Sequence, residues 1–224
     1  MCTVTFLPLK DNDFVFTSSR DVGFQRAKAE KPKKYVENGV ELCYPKDGKA
    51  GGTWIGTSRN NRLICLLNGG FKNHIRKTDY PKSRGLIVKE LLIVEKFDTA
   101  CMQIDLHNIE PFTMVVVSWE EKLRLFEFVW DGELRHFKEL EPGPFIWSSS
   151  TLYDDQMKRM RIEWFDKWLS SSHISPSEIL NFHKNAGNGD PEVDVFMRRE
   201  KVGTVSITQV SKIRNDVDMV YKPF

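Results

Sequence analysis

No stretch of about eighteen apolar residues occurs in this sequence, and its first residues lack the basic, apolar and small-residue order of a secretory signal. A membrane span and an oxidising compartment are therefore both unexpected. Cysteine is scarce. Cys2, Cys43, Cys65 and Cys101 include no CxxC pair and no Cys/His zinc spacing, so neither a disulfide framework nor a structural zinc site is indicated. The last three sit among apolar neighbours and read as buried small hydrophobes. Five histidines are scattered without HxH, HExxH or an i, i+4 pair, and neither GxGxxG nor a Walker loop is present. No metal, nucleotide or other cofactor is expected. A surplus of one charge is missing too. With 33 Lys and Arg against 31 Asp and Glu, a broad face for nucleic acid or membrane is not foreseen, and the knot Lys31, Lys33, Lys34 reads as a solvated loop. There is no internal repeat, low-complexity tract or linker, which favours one domain over residues 1–224. The expectation is a reduced, cytoplasmic protein, with nothing to specify an oligomeric state.

What the sequence does hold is core material. Apolar residues make up 40% and aromatic residues 12%. Residues 3–7 and 14–19 alternate as a hairpin. The basic stretch 27–38, interrupted by Pro32, reads as loop. Residues 40–44 and 53–57 read as short strands, and 62–67 as a strand buried on both faces. Residues 84–97 carry a wide helical apolar face through Ile87, Val88, Leu91, Leu92 and Val94, and 98–107 continue as a second helix. Residues 113–119 form a buried strand. Residues 122–130 and 133–140 pair through Asp131-Gly132; Phe126, Phe128 and Trp130 share one face of the first strand with Arg124, and Leu123, Leu125 and Val129 the other. After Pro142-Gly143-Pro144 a helix starts at Asp154 or Asp155, with Met157, Met160, Trp164 and Trp168 as its core stripe. Ser175-Pro176-Ser177-Glu178 opens another helix. Residues 193–197 and 204–211 read as paired strands, and 219–221 as an edge strand.

The chemically distinctive stretch is the first, Met1-Cys2-Thr3. Removal of Met1, which a small second residue permits, puts a thiol and an amine of pKa about 7.7–8.0 on one residue. Cys2 then has the makings of a self-activating covalent nucleophile; the plain alternative is an incidental cysteine. The hairpin returns Arg20 and Asp21 towards it. A cation there lowers a thiol pKa and a carboxylate orients an amine; the plain alternative is a surface Arg–Asp pair at a strand end. Asn68 closes a buried strand and precedes Gly69-Gly70, which lets backbone approach a ligand closely. Its amide either donates to an oxyanion or simply turns the chain.

Gly51-Gly52-Thr53-Trp54-Ile55-Gly56, then Asn61-Arg62 and Leu67-Asn68, resemble the signature of the NRDE-motif family, the transport and Golgi organisation protein 2-like proteins. Met1-Cys2, Ser19-Arg20-Asp21 and Pro81-Lys82-Ser83-Arg84-Gly85 match in the same order. The resemblance is close as far as Ala100 and looser beyond. It implies an α+β fold of N-terminal-nucleophile hydrolase type, a four-layer αββα sandwich of two antiparallel sheets. That fold is similar to the penicillin V acylase and bile-salt hydrolase branch, where an N-terminal cysteine cleaves non-peptide amide bonds. By this resemblance Cys2 is the nucleophile and its amine the base. Arg20 and Asp21 surround them, Asn68 serves the oxyanion hole, and Trp54, Gly69 and Ser149 contact substrate.

Three departures accompany the match. Ser19-Arg20-Asp21-Val22 stands where the family has Asn-Arg-Asp-Glu. Ser148-Ser149 holds the place of a Ser-Asn pair, and Gly203-Thr204-Val205 that of Gly-Thr-Arg. Losing one oxyanion donor typically costs about 2.7–4 kcal/mol of barrier. Two functions are therefore expected. One is an amidohydrolase that cleaves an acyl-amide bond of a small molecule through a thioester. The other is a catalytically inactive member that binds or traffics a lipid-like or haem-like ligand.

Overall fold

The computed structural model describes residues 2–77, 79–171 and 173–224, with the backbone but not the side chain of Cys2. The elements run β1 (Cys2–Pro8), β2 (Phe14–Gly23), β3 (Glu30–Glu37), β4 (Val40–Lys46), β5 (Ile55–Ser58), β6 (Arg62–Asn68), α1 (Arg84–Ile93), α2 (Phe97–Gln103), β7 (Phe112–Ser118), β8 (Arg124–Trp130), β9 (Arg135–Leu140), β10 (Phe145–Ser148), α3 (Asp155–Ser171), α4 (Pro176–Asn185), β11 (Val202–Ile213) and β12 (Asp216–Pro223). The α+β class and the two antiparallel sheets are as expected. The chain divides into two compact units, residues 27–142 and residues 1–26 with 143–224. No described helix is long and apolar enough to cross a membrane.

The unit of residues 27–142 is a seven-stranded meander, β3-β4-β5-β6-β7-β8-β9. Strand alternation gives β4, β6, β7 and β8 an apolar row on the helix side. Leu42, Ile64, Leu66, Met114, Val116, Phe126 and Phe128 pack there against Ile87, Val88, Leu91 and Leu92 of α1 and Cys101 of α2. Each such side chain contributes roughly 1.5–3 kcal/mol by leaving water. The glycine-rich motif fits α1 to this sheet. A Cβ on Gly52 would stand 2.5 Å from the Gly85 carbonyl carbon, and one on Gly56 would stand 2.9 Å from Leu92.

Three expectations change in this unit. Residues 84–97 are not one helix, because Arg62 ends it. The Arg62 guanidinium donates to the carbonyls of Leu91 (2.9 Å), Val94 (2.7 Å) and Glu95 (3.1 Å), and the Asn60 amide donates to Ile93 and Val94. These satisfy the orphan carbonyls of the last turn, so α2 starts afresh at Phe97 and stops at Gln103. The second change is β3, within the stretch read as loop. Pro32 is tolerated because β3 is an edge strand, and the pairing with β4 slips between Glu30 and Lys33, where proline has no N–H to give. Lys33 and Lys34 stay exposed, paired with Glu30 and Glu41. Cys65 and Cys101 are buried, but Cys43 is only half-buried.

The other unit is a five-stranded sheet, β10-β1-β2-β11-β12, with α3 and α4. β1 and β2 form the expected hairpin, and β12 is the expected edge, longer than foreseen. α4 is capped as expected, Ser175 Oγ accepting from the Glu178 N–H at 3.2 Å. Asp154 caps α3 through the Met157 N–H at 2.8 Å. Residues 193–197 are turns rather than a strand. The backbone of residues 193–195 is satisfied off the sheet, with Val193 and Asp194 N–H on the Asp190 carbonyl and Val195 N–H on Ala186, while Met197 accepts from the Thr204 N–H of β11 at 2.8 Å. The α3 stripe is also re-centred. Met157, Met160, Trp164 and Trp168 are half-buried, and the two fully covered positions are Phe165 and a charged one, Arg161.

Candidate active site

The pairing of β1 with β2 sets Cys2 opposite Arg20 and Thr3 opposite Ser19. On the far side of β1, Thr3 faces Ser148, and on the far side of β2, Arg20 faces Ser206. One end of four adjacent strands therefore gathers Ser149, the Cys2 backbone, Arg20 and Ser206. Met1 and the Cys2 thiol lie outside the described residues, so the expected nucleophile is placed by its backbone register alone.

Arg20 and Asp21 are 4% and 0% exposed, which removes the reading of a surface ion pair. Neighbours on a strand point to opposite faces, and this pair is divided in that way. Arg20 shares its face with Phe16 and Ser18. Asp21 lies on the face of Thr17 and Ser19, towards α3 and α4. On the Arg20 face, Ser206 and Thr208 have fully buried hydroxyls without a hydrogen-bond partner. Ser149, 1% exposed, also keeps its hydroxyl unpartnered. An unsatisfied buried hydroxyl costs about 1–3 kcal/mol, and two of these, on Ser149 and Ser206, stand at the strand end that carries Cys2.

The Asp21 face carries a buried polar layer. Tyr153 donates its hydroxyl to one Asp21 oxygen at 2.6 Å, and Thr204 donates to the other at 2.7 Å. Burial pushes the Asp21 carboxyl above the ordinary carboxylate range, against the pull of Thr204, Tyr153 and the Arg161 charge. Burial also raises Tyr153, keeping it protonated as a donor. Thr204 reaches Asp21 because β11 bulges between Thr204 and Ser206. The extra residue, Val205, flips the alternation, so Thr204 rather than Val205 stands opposite Asp21.

Arg161 joins this layer to β1. Its guanidinium donates to Thr3 Oγ1 at 2.6 Å and to the carbonyls of Val193 (3.0 Å) and Asp194 (2.8 Å), and it lies over the Tyr153 ring at 3.6 Å. It is fully buried, with no carboxylate in direct contact among the described residues. His183 of α4 follows, hydrogen-bonded between Thr5 Oγ1 (2.9 Å) and Ser19 Oγ (2.8 Å). Burial, and secondarily the Arg161 charge, lower its pKa to about 3, so it is neutral. Tyr153, Arg161, His183 and Thr204 were missed by sequence reasoning. The signal for two of them was a polar residue inside a helix's apolar stripe. Arg161 lies four residues from both Met157 and Phe165, and His183 four from Ile179.

The remaining predicted residues belong to the unit of residues 27–142. Trp54 is buried, at 6% exposure. Asn68 ends β6 opposite Phe112. Gly69 has φ +85°, donates its N–H to Pro111 and accepts from Thr113 Oγ1. Its turn thus demands the left-handed freedom of glycine. No group of three or more His, Cys, Asp and Glu suited to a metal occurs among the described residues.

Comparison with known proteins fits this geometry. A family described as Transport and Golgi organisation 2 matches residues 1–196. No curated protein matches the sequence significantly. Among solved structures, an N-acylethanolamine-hydrolyzing acid amidase ortholog from Caenorhabditis elegans superposes with TM-score 0.62 at 11% identity, over 93% of this chain and 92% of that one. A conjugated bile acid hydrolase from Clostridium perfringens, solved as a mutant with alanine for cysteine at position 2, gives 0.59 at 10% identity, over 100% and 96%. Penicillin V acylase from Agrobacterium tumefaciens gives 0.52 at 8% identity, over 100% and 86%. At these identities the likeness is one of fold, the N-terminal-nucleophile hydrolase fold.

Proposed function

Because this chain belongs to the Transport and Golgi organisation 2 family and has the fold of N-terminal-nucleophile amidases and acylases, we propose that it is an amidohydrolase acting through Cys2 on the acyl-amide bond of a small molecule. The observation that carries the reading is the register of Cys2 against a buried Arg20 at the end of β1. With Met1 removed, the Cys2 amine takes the thiol proton, and the sulfur attacks the amide carbon. The tetrahedral intermediate collapses as the amine leaves with that proton, and a thioester forms. Water, deprotonated by the Cys2 α-amine, then attacks the thioester, and the sulfur leaves with that proton as the carboxylic acid is released. Arg20 favours the thiolate by its charge. Asp21 acts as a positioning residue, since its oxygens are committed to Tyr153 and Thr204. We include residues 1–224 in one functional domain, as the family match runs through both units. The roles of Trp54, Asn68, Gly69 and Ser149 rest on the family resemblance.

The test is turnover of a panel of acyl-amides by the purified chain, with Cys2→Ala as control. Hydrolysis abolished by the substitution is expected; hydrolysis that survives it would remove the mechanism. The bulged Val205 and the Ser149 hydroxyl, standing where the family has arginine and asparagine, favour a second reading. This is a non-catalytic binding module for a lipid-like or haem-like ligand, which predicts binding without turnover.

A further inference from the structure

The connection from β6 to α1 runs from Gly69 to Ser83, and none of its described residues is in a helix or strand. Connections of this length inside a compact unit are uncommon and usually functional. Its stretch 71–77 reads Phe-Lys-Asn-His-Ile-Arg-Lys, with three permanent cations and no carboxylate. The near balance of charge over the whole chain hides this segment. Ile75 is 95% exposed and Phe71 53%. A single exposed apolar side chain is ordinary on a protein surface; what singles out Ile75 is the basic sequence on both sides of it, Lys72 before and Arg76-Lys77 after.

The loop is held from below. Glu110 faces His74 Nε2 at 3.5 Å, Arg76 Nε at 3.6 Å and Arg84 Nη2 at 3.0 Å. The Lys77 N–H donates to the Tyr80 hydroxyl at 3.1 Å. The Phe71 ring meets His136 edge-on, and His136 in turn pairs with Asp131 at 2.7 Å. The polar groups at the base thus fix the backbone while the isoleucine tip is presented outward.

We infer that residues 71–77 dock this protein on the surface of an anionic phospholipid bilayer, Ile75 entering the headgroup–acyl boundary and Lys77 facing a phosphate. Aliphatic tips amid lysine and arginine suit that boundary, where apolar insertion and attraction to anionic headgroups add. A nucleic acid would use the cations and could stack on Phe71 but gives Ile75 no partner. The inference does not rest on the hydrolase reading, since binding is read without turnover.

The experiment is flotation of the full chain with vesicles of phosphatidylcholine alone and with phosphatidylserine added. Binding to the mixed vesicles is expected, weakened by high salt. Ile75→Asp is expected to lower partitioning at least tenfold, and Lys77→Glu severalfold. Val36→Asp, at a 75% exposed aliphatic position on β3, serves as control and is expected to change nothing. Thermal melts confirm that each variant folds. Absence of binding to either vesicle, an Ile75→Asp protein that binds as before, or an equal loss with Val36→Asp would overturn the proposal. Capture of nucleic acid or an acidic protein without vesicle binding would do so as well.

Discussion

The two sheets meet their helices with opposite chemistry. In the unit of residues 27–142 the interface is hydrocarbon and aromatic, with Phe126, Phe128, Met114 and Val116 under α1 and α2. In the other unit the same kind of interface is graded along the strands. It is apolar at Leu7 and Val15, against Phe165 and Phe182. It turns to hydroxyls and histidine at Thr5 and Ser19, and ends in Arg161, Tyr153 and Asp21 next to Thr3. Burying a guanidinium, a carboxyl and an imidazole is costly unless every group is satisfied. A sheet that merely needed a cover would have used the first solution. The polar layer ends at the strand position that carries Cys2, and departures from local rules concentrate where function resides.

Substitutions on each side sharpen this contrast. Arg161→Met should have the largest effect, about 2–5 kcal/mol of lost stability, because it leaves the Val193 and Asp194 carbonyls without their donor; urea melts measure it. A loss well under 1 kcal/mol would mean that the layer is incidental. Between pH 7 and 5, acidification should act on the polar unit through His183. His183 has a folded pKa of about 3, below the ordinary 6.5. Its stabilising contribution is therefore complete above pH 6.5 and is lost as pH falls towards 3. Between pH 7 and 5 it should remove about 2 kcal/mol, a slope that His183→Gln would flatten in paired melts. Tyr153→Phe deletes one donor to Asp21 and should cost about 1–2 kcal/mol while changing the pH profile of any turnover. Phe128→Leu, in the apolar unit, should cost about 1 kcal/mol and leave that profile untouched.

Much of this was readable beforehand, and the reasons are physical. The β1–β2 hairpin is marked by its alternation and turn residues, so the return of Arg20 and Asp21 to the neighbourhood of Cys2 was legible in the sequence, while the register that sets Arg20 opposite Cys2 was not. β6 is apolar without interruption and is buried as such. Gly52 and Gly56, read as a family signature, prove to be contact points where any side chain would collide with α1. The failures came where tertiary contacts override local pattern. Pro32 sits in a strand because that strand is an edge. Residues 193–197 alternate like a strand, yet the Arg161 guanidinium and the Asp190 and Ala186 carbonyls satisfy the backbone of residues 193–195. Thr204 reaches Asp21 only through a bulge, whose extra residue leaves no mark in the alternation. Arg161 itself looks like an ordinary surface charge until the helix is docked.

The most direct measurement is the intact mass of the purified chain before and after a short exposure to an acyl-amide that it turns over, followed by mapping of the adduct. The account predicts a mass lacking Met1 and a transient acyl group on the peptide that begins at Cys2. A chain that retains Met1, or an acyl group carried by Cys43, Cys65 or Cys101 instead, would contradict it.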